Sequence, residues 1–306
     1  MTIKDKATWR DEALGAARDL ELPQGRVRCF EAGTGSPIVF VHGLLVNANL
    51  WRKVVAELTP ALRCISLDLP LGSHTLPMPE AADLTPLGLA DLIADAIESL
   101  ALEEVTLVGN DTGGALCQMV VTRRPERIGR LVLTSCDYRD NFPPPMFRYF
   151  KPAAAIPGAM KALMAPMRLR APRQLPFAFG WLVTRRIDRE AEDSYLLAGI
   201  TIPGIEQDLR RVIKGLDTRY TNEAADRLGQ FEKPALIAWS REDRFFKPAH
   251  AQRLAQDLPK GRLEWIENAR SLSPEDEPGR LAELIADFVR APAVGGTRPD
   301  PGATAR

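Results

Sequence analysis

One stretch constrains the chain more than any other. Val105-Thr106-Leu107-Val108 is a short apolar run of strand-forming residues, and it leads directly into Gly109-Asn110-Asp111-Thr112-Gly113-Gly114. The helix-like Ala115-Leu116-Cys117-Gln118-Met119-Val120 follows at once. A buried strand that turns into a helix without a linker belongs to an architecture of layered strands and helices. The flanking glycines remove the side chains that so tight a turn could not accommodate. The ionisable residue at its apex, Asp111, is therefore presented above the end of the sheet.

The surrounding sequence repeats the alternation. Buried strands are expected at Pro37–Val41, Leu62–Leu67, Val105–Val108, Leu131–Thr134, Ala235–Trp239 and Leu263–Ile266, with an edge strand at Gln24–Phe30. Helical spacing of apolar residues appears at Ala7–Leu20, Leu50–Leu58, Leu87–Leu100, Ala115–Thr122, His250–Leu258 and Leu281–Val289. Continuous apolar strands separated by amphipathic helices predict a mostly parallel sheet covered on both faces. At 306 residues and 45% hydrophobic, the chain is long enough to bury a large core.

Between Cys136 and about Leu216 the alternation stops. This stretch is rich in proline, methionine and aromatic residues, and a mostly helical insertion is expected over residues 137–216. It would divide an α/β core into residues 1–136 and 217–290, with a disordered tail over 291–306. From Met146 to Arg186 the insertion carries Arg148, Lys151, Lys161, Arg168, Arg170, Arg173, Arg185 and Arg186 and no acid. Two readings stand for this charge: a solvated helical face, or a cap whose basic side meets an anionic group on a substrate or carrier.

The formal net charge is +0, which argues against bulk attraction to nucleic acid or to an anionic membrane. Cys29, Cys64, Cys117 and Cys136 have no CxxC spacing and sit in apolar contexts, as thiols do in a reducing compartment. The polar start and the lack of a long apolar run make a cytoplasmic protein the expectation. The turn at Gly109 lacks G-x-G-x-x-G spacing, and the sequence contains no phosphate loop or metal-ligand cluster, so neither cofactor nor metal is expected.

Gly109-Asn110-Asp111-Thr112-Gly113 has the G-x-nucleophile-x-G form of a nucleophile elbow. With His42-Gly43 after an earlier strand, an insertion, and Asp243 in a later loop, the chain from about Gly25 to Val289 resembles the α/β-hydrolase fold. Aspartate at the apex is similar to the branch of haloalkane dehalogenases, fluoroacetate dehalogenases and epoxide hydrolases. The resemblance implies that Asp111 attacks carbon to form an alkyl ester, which water then hydrolyses. It implies an oxyanion hole from the backbone N–H groups of Leu44 and Thr112, with His42 shaping the loop, and Asp243 as the acid that orients a base. Asp137, after the Leu131–Thr134 strand, is a second candidate acid, because some members of the branch place theirs there.

The chain departs from that pattern where the base belongs. The only histidines are His42, His74 and His250, and the family's histidine position holds Ser271. A serine hydroxyl is no base near neutral pH, and the neighbouring Arg270 does not deprotonate. His74, in the loop leaving the Leu62–Leu67 strand, is a candidate substitute; a hydrogen-bonded loop histidine is the alternative. Thr112 and Leu44 replace the halide donors of dehalogenases. Tyr138, Tyr149, Tyr195 and Tyr220 are the residues from which an epoxide-protonating pair would come.

Three activities fit these features. One is hydrolysis of an apolar small molecule by Asp111, with His74 or a carboxylate activating water. The second is a lyase, isomerase or cyclase reaction in which Asp111 moves a proton. The third is ligand binding without catalysis.

Overall fold

The computed structural model describes residues 2–291; the tail expected from residue 291 falls, beyond Ala291 itself, outside the described residues. Eight strands form one sheet: β1 (Ala16–Leu22), β2 (Gly25–Ala32), β3 (Ser36–Val41), β4 (Leu62–Asp68), β5 (Val105–Asp111), β6 (Ile128–Cys136), β7 (Ala235–Ser240) and β8 (Gly261–Ile266). Their order is β1-β2-β4-β3-β5-β6-β7-β8. The β1–β2 and β2–β4 pairs are antiparallel, and every pair from β4–β3 to β7–β8 is parallel. This is the α/β-hydrolase fold.

The helices α1 (Ile3–Thr8), α2 (Arg52–Leu58), α3 (Pro86–Ser99) and α4 (Thr112–Arg123) precede the insertion. Within it lie α5 (Phe150–Ala155), α6 (Ala159–Met164), α7 (Arg170–Arg173), α8 (Arg189–Thr201) and α9 (Ile205–Gly215). Then come α10 (Thr218–Arg227), α11 (Pro248–Asp257), α12 (Ser273–Asp276) and α13 (Pro278–Arg290). Two large apolar clusters flank the sheet, one including α3, α4 and α11 and the other α2, α13 and much of the insertion. Every residue of β7 is buried, as is all of β5 except Asp111, which explains their uninterrupted apolar sequences.

The amino-terminal expectation is overturned. Ala7–Leu20 is not one helix: α1 ends at Thr8, a single 3-10 turn covers Glu12–Leu14, and Ala16 begins a strand. Gly15 breaks the helical pattern. Its φ is +83°, and a Cβ there would stand 2.1 Å from the Glu31 carbonyl oxygen, so the chain turns tightly against β2. The sheet edge is consequently β1, and β2 lies inside it between β1 and β4.

Candidate active site

Five neighbouring strands deliver the site. The parallel strands β3, β5, β6, β7 and β8 lie side by side, so the loops after them gather at one edge of the sheet. Ligands collect at this carboxyl edge in open α/β sheets. The loops carry His42-Gly43-Leu44, Asp111-Thr112, Asp137, Asp243 and Ser271 respectively.

Asp111 sits at φ 55° and ψ −132°, a conformation that costs a non-glycine residue about 1–3 kcal/mol and is retained where the surroundings impose it. The β5–β6 register slips between Asn110 and Asp111 and so re-aims the apex. The oxyanion loop presses against the elbow. A Cβ on Gly43 would lie 2.1 Å from Asp111 Oδ2, and one on Gly113 would lie 2.4 Å from the His42 carbonyl oxygen. Through this approach the Leu44 N–H donates to Asp111 Oδ2 at 3.1 Å, and the Thr112 N–H donates to the same carboxylate.

Three carboxyl groups cluster here. Burial pushes Asp111 up to about 7; the Thr112 and Leu44 N–H groups oppose this, and the charge of Asp243 adds to it. Asp137, 1% exposed, is raised well above the ordinary range by burial and then by Asp111. Its Oδ2 accepts from the Thr112 hydroxyl at 3.2 Å, and its Oδ1 has no partner among the described residues. Asp111 has two backbone donors and an opening to the cavity, so of this pair Asp137 retains the proton. Asp243 is raised to about 6 by burial, against the pull of the Phe246 and Phe245 N–H groups at 2.9 and 2.8 Å and the Ser271 hydroxyl at 2.9 Å. Its Oδ2 is buried without a partner among the described residues.

The histidines lie elsewhere. His42 Nε2 accepts from the Leu69 N–H at 3.0 Å, which leaves Nδ1–H to donate to the Gly43 carbonyl at 2.8 Å. Burial lowers its pKa to about 4, so the ring is neutral and shapes the oxyanion loop. His74 is not brought to the cavity. Its Nε2 meets Asp208 Oδ2 of α9 at 3.1 Å, and the same oxygen accepts from the Met78 N–H. The ring ties the loop after β4 to the insertion.

A cavity opens to solvent above Asp111, with about 700 Å³ of empty space including its open mouth. Leu44, Leu45, Val46, Leu196 and Leu272 line it with Phe147, Phe150, Phe177 and Phe179; Asp111 supplies its ionisable group and Thr112 its hydroxyl. A model of the alpha/beta hydrolase family matches residues 38–284. The chain belongs to that family. An uncharacterized hydrolase of Bacillus subtilis, YugF, is 28% identical over 263 residues, covering 83% of this chain and 89% of the relative. Haloalkane dehalogenase 2 of Mycobacterium tuberculosis is 25% identical over 285 residues, 89% of this chain and 94% of the relative. Among solved structures, an alpha/beta hydrolase fold protein from Burkholderia ambifaria superposes with a TM-score of 0.76 at 22% identity, covering 88% of this chain and 97% of that one. The chain is an enzyme of this family, and the names of its relatives leave the reaction type open.

The tyrosines of this alpha/beta hydrolase do not line the cavity. Tyr195 donates to Glu275 at 2.7 Å, Tyr138 donates to Asp257, Tyr220 accepts from Arg219, and Tyr149 lies on the outer face of the insertion. Asn110 was not anticipated. Fully buried beside the apex, it donates to the Thr134 hydroxyl at 2.7 Å and the Ser271 carbonyl at 2.8 Å, bolting β5 to β6 and to the loop after β8. Its one sequence signal is a polar residue at the end of an otherwise apolar strand. Among the described residues no group of three or more His, Cys, Asp or Glu could hold a metal, and no helix is long and apolar enough to cross a membrane.

Proposed function

We propose that this enzyme hydrolyses an apolar small molecule through a covalent ester on Asp111, with Asp243 in place of histidine as the group that activates water. The observation that carries this reading is the seating of Asp111 itself: its Oδ2 accepts from the Leu44 N–H at 3.1 Å, and the Thr112 N–H donates to the same carboxylate. The other oxygen is left for attack on a carbon in the cavity. The carbon–leaving-group bond breaks as the new C–O bond forms, and the leaving group takes the electron pair. Water then adds to the ester carbonyl carbon and gives its proton to Asp243 Oδ2. The negative charge develops on the oxygen between Leu44 and Thr112, where fixed donors already point. Collapse expels the alcohol, which takes up a proton, and Asp111 returns to a carboxylate with an oxygen from water. A carboxyl group with a pKa near 6 is a competent base at neutral pH, and Asp243 Oδ2 has no partner among the described residues to compete for the proton.

Turnover in ¹⁸O-water should place label on Asp111, read by mass spectrometry of the elbow peptide. Sustained turnover that leaves Asp111 unlabelled would exclude the ester.

A second reading is favoured by one observation, the pairing of an apolar cavity with a carboxyl group raised to about 7. Here Asp111 would move a proton in a lyase, isomerase or cyclase reaction without forming an ester. The product separates the two: addition of the elements of water supports hydrolysis, and an isomeric or eliminated product supports the second.

A further inference from the structure

We propose that the outer face of the insertion is a docking surface for an anionic lipid bilayer, from which an apolar substrate enters the cavity. The access role rests on the apolar substrate proposed above; the docking does not. Of the seven large hydrophobic side chains that are notably exposed among the described residues, six lie in one short stretch: Met146, Tyr149, Ile156, Leu169, Leu175 and Phe177. Ile156 and Leu169 are 60% and 67% exposed, far more than ordinary packing leaves such side chains. Scattered apolar residues are normal on a protein surface, whereas a collected set marks an interaction site.

These residues share a surface. Met146, Tyr149, Leu163, Pro176 and Phe177 line one open concavity, and Phe177 also lines the cavity above Asp111. The helices α5 and α6 pack together, and α6 packs on the 3-10 turn Ala165–Arg168. Ile156 directly follows the first of these elements and Leu169 directly follows the last.

Charge selects the occupant. No acid occurs from Met146 to Arg186. Within that span Arg148, Lys161, Arg168 and Arg186 are exposed and have no carboxylate partner among the described residues. Arg148 directly precedes Tyr149 and Arg168 directly precedes Leu169, and all four are exposed, so cationic and apolar groups adjoin along the insertion's surface segments. A soluble anionic partner would use the cations and gain little from Ile156 and Leu169. A bilayer uses both, taking apolar side chains below the headgroups while the bases meet anionic lipid. The zero net charge of the chain is no obstacle, because attraction decays within about 8 Å at physiological salt and a bilayer responds to the face presented to it.

The test is cosedimentation with phosphatidylcholine vesicles, with and without phosphatidylglycerol. The whole protein should sediment with the anionic vesicles, less so as salt rises, and remain free with the neutral ones. Each base at such a surface contributes about a fivefold factor in partitioning, so the triple variant Arg148→Glu, Lys161→Glu and Arg168→Glu, which reverses three charges, should bind at least about a hundredfold more weakly. Arg18→Glu, Lys233→Glu and Lys260→Glu, which alter the net charge equally away from the insertion, should retain binding. Ile156→Ser with Leu169→Ser should weaken it while leaving the melting temperature unchanged. Failure to sediment with anionic vesicles overturns the proposal, as does equal loss in the two charge-reversal variants. None of these outcomes depends on whether Asp111 forms an ester.

Discussion

Asp111 is an acid held where its charge is disfavoured, and that has a measurable consequence. Its carboxyl group titrates near 7 in the folded protein instead of near 3.8. Well below pH 3.8 both folded and unfolded chains keep the proton and no penalty exists. As pH rises toward 7 the unfolded chain gives up a proton that the native state retains, so stability falls until the folded group also ionises. Asp111→Asn should therefore gain stability over the native enzyme as pH increases, from well under 1 kcal/mol at pH 4 to at most about 4 kcal/mol at pH 8. For a chain of this length that corresponds to at most about 6 °C in melting temperature. A pH-independent difference would show that Asp111 keeps an ordinary pKa. Asp243→Asn tests the neighbouring carboxylate by kinetics. If Asp243 activates water, the variant should form the ester and hydrolyse it on the order of a hundredfold more slowly, so that the adduct accumulates on Asp111. In the native enzyme, ester hydrolysis should fail as pH drops below about 6, where Asp243 acquires its proton. An Asp243→Asn enzyme that turns over at the native rate would remove this carboxylate from the mechanism.

At the scale of elements, the site exists because the loop after β3 reaches the turn after β5 without a side chain between them. Gly43→Ala would drive a methyl group into the Asp111 side chain, 2.1 Å from Oδ2 and 2.5 Å from Cβ, so the strain cannot be relieved by moving only the tip of that side chain. The oxyanion donor at Leu44 should be displaced and kcat should fall by about 100-fold or more, as loss of one such donor does elsewhere. Circular dichroism should still report a folded α/β protein. The order of β3 to β8 and the elbow were legible in the sequence because buried parallel strands are written as uninterrupted apolar runs and tight turns as glycine. The β1 hairpin was not. Ala7 and Leu14 have the seven-residue spacing of one helical face, and only the left-handed Gly15 and its contact with Glu31 decide against a helix running on. The acids at positions 111, 137 and 243 were readable as loop residues after strands. That Ser271 would hydrogen-bond Asp243, or that His74 would pair with Asp208, depends on segments 28 and 134 residues apart meeting in space. No local pattern encodes that.

Across the whole molecule, the insertion is held to the core by charge as well as by apolar packing. Arg52 of α2 donates at 2.5 Å to Glu275 of α12, which is followed by α13, and at 2.5 Å to Asp188, where α8 begins. Tyr195 of α8 closes the network by donating to Glu275. The side chains of Arg52 and Glu275 are only 3% and 2% exposed, so neither is compensated by water. Removing Arg52 leaves Glu275 buried with only the partly exposed Lys53 Nζ at 3.3 Å to compensate its charge, and Arg52→Ala should destabilise the protein by about 3 kcal/mol. Replacing both, as Arg52→Met with Glu275→Gln, should restore much of that loss, since two apolar or neutral groups of similar size carry no unpaired charge. The comparison distinguishes an ion pair that generates stability from one that mainly fixes where the insertion sits. If the double variant melts near the native temperature yet binds substrate poorly, the pair sets the position of Leu196 and its neighbours over Asp111. If the double variant is as unstable as Arg52→Ala, the pair supplies stability that packing cannot replace. We expect the first outcome, because α8 is already buried along most of its length and its remaining freedom is one of placement above the cavity.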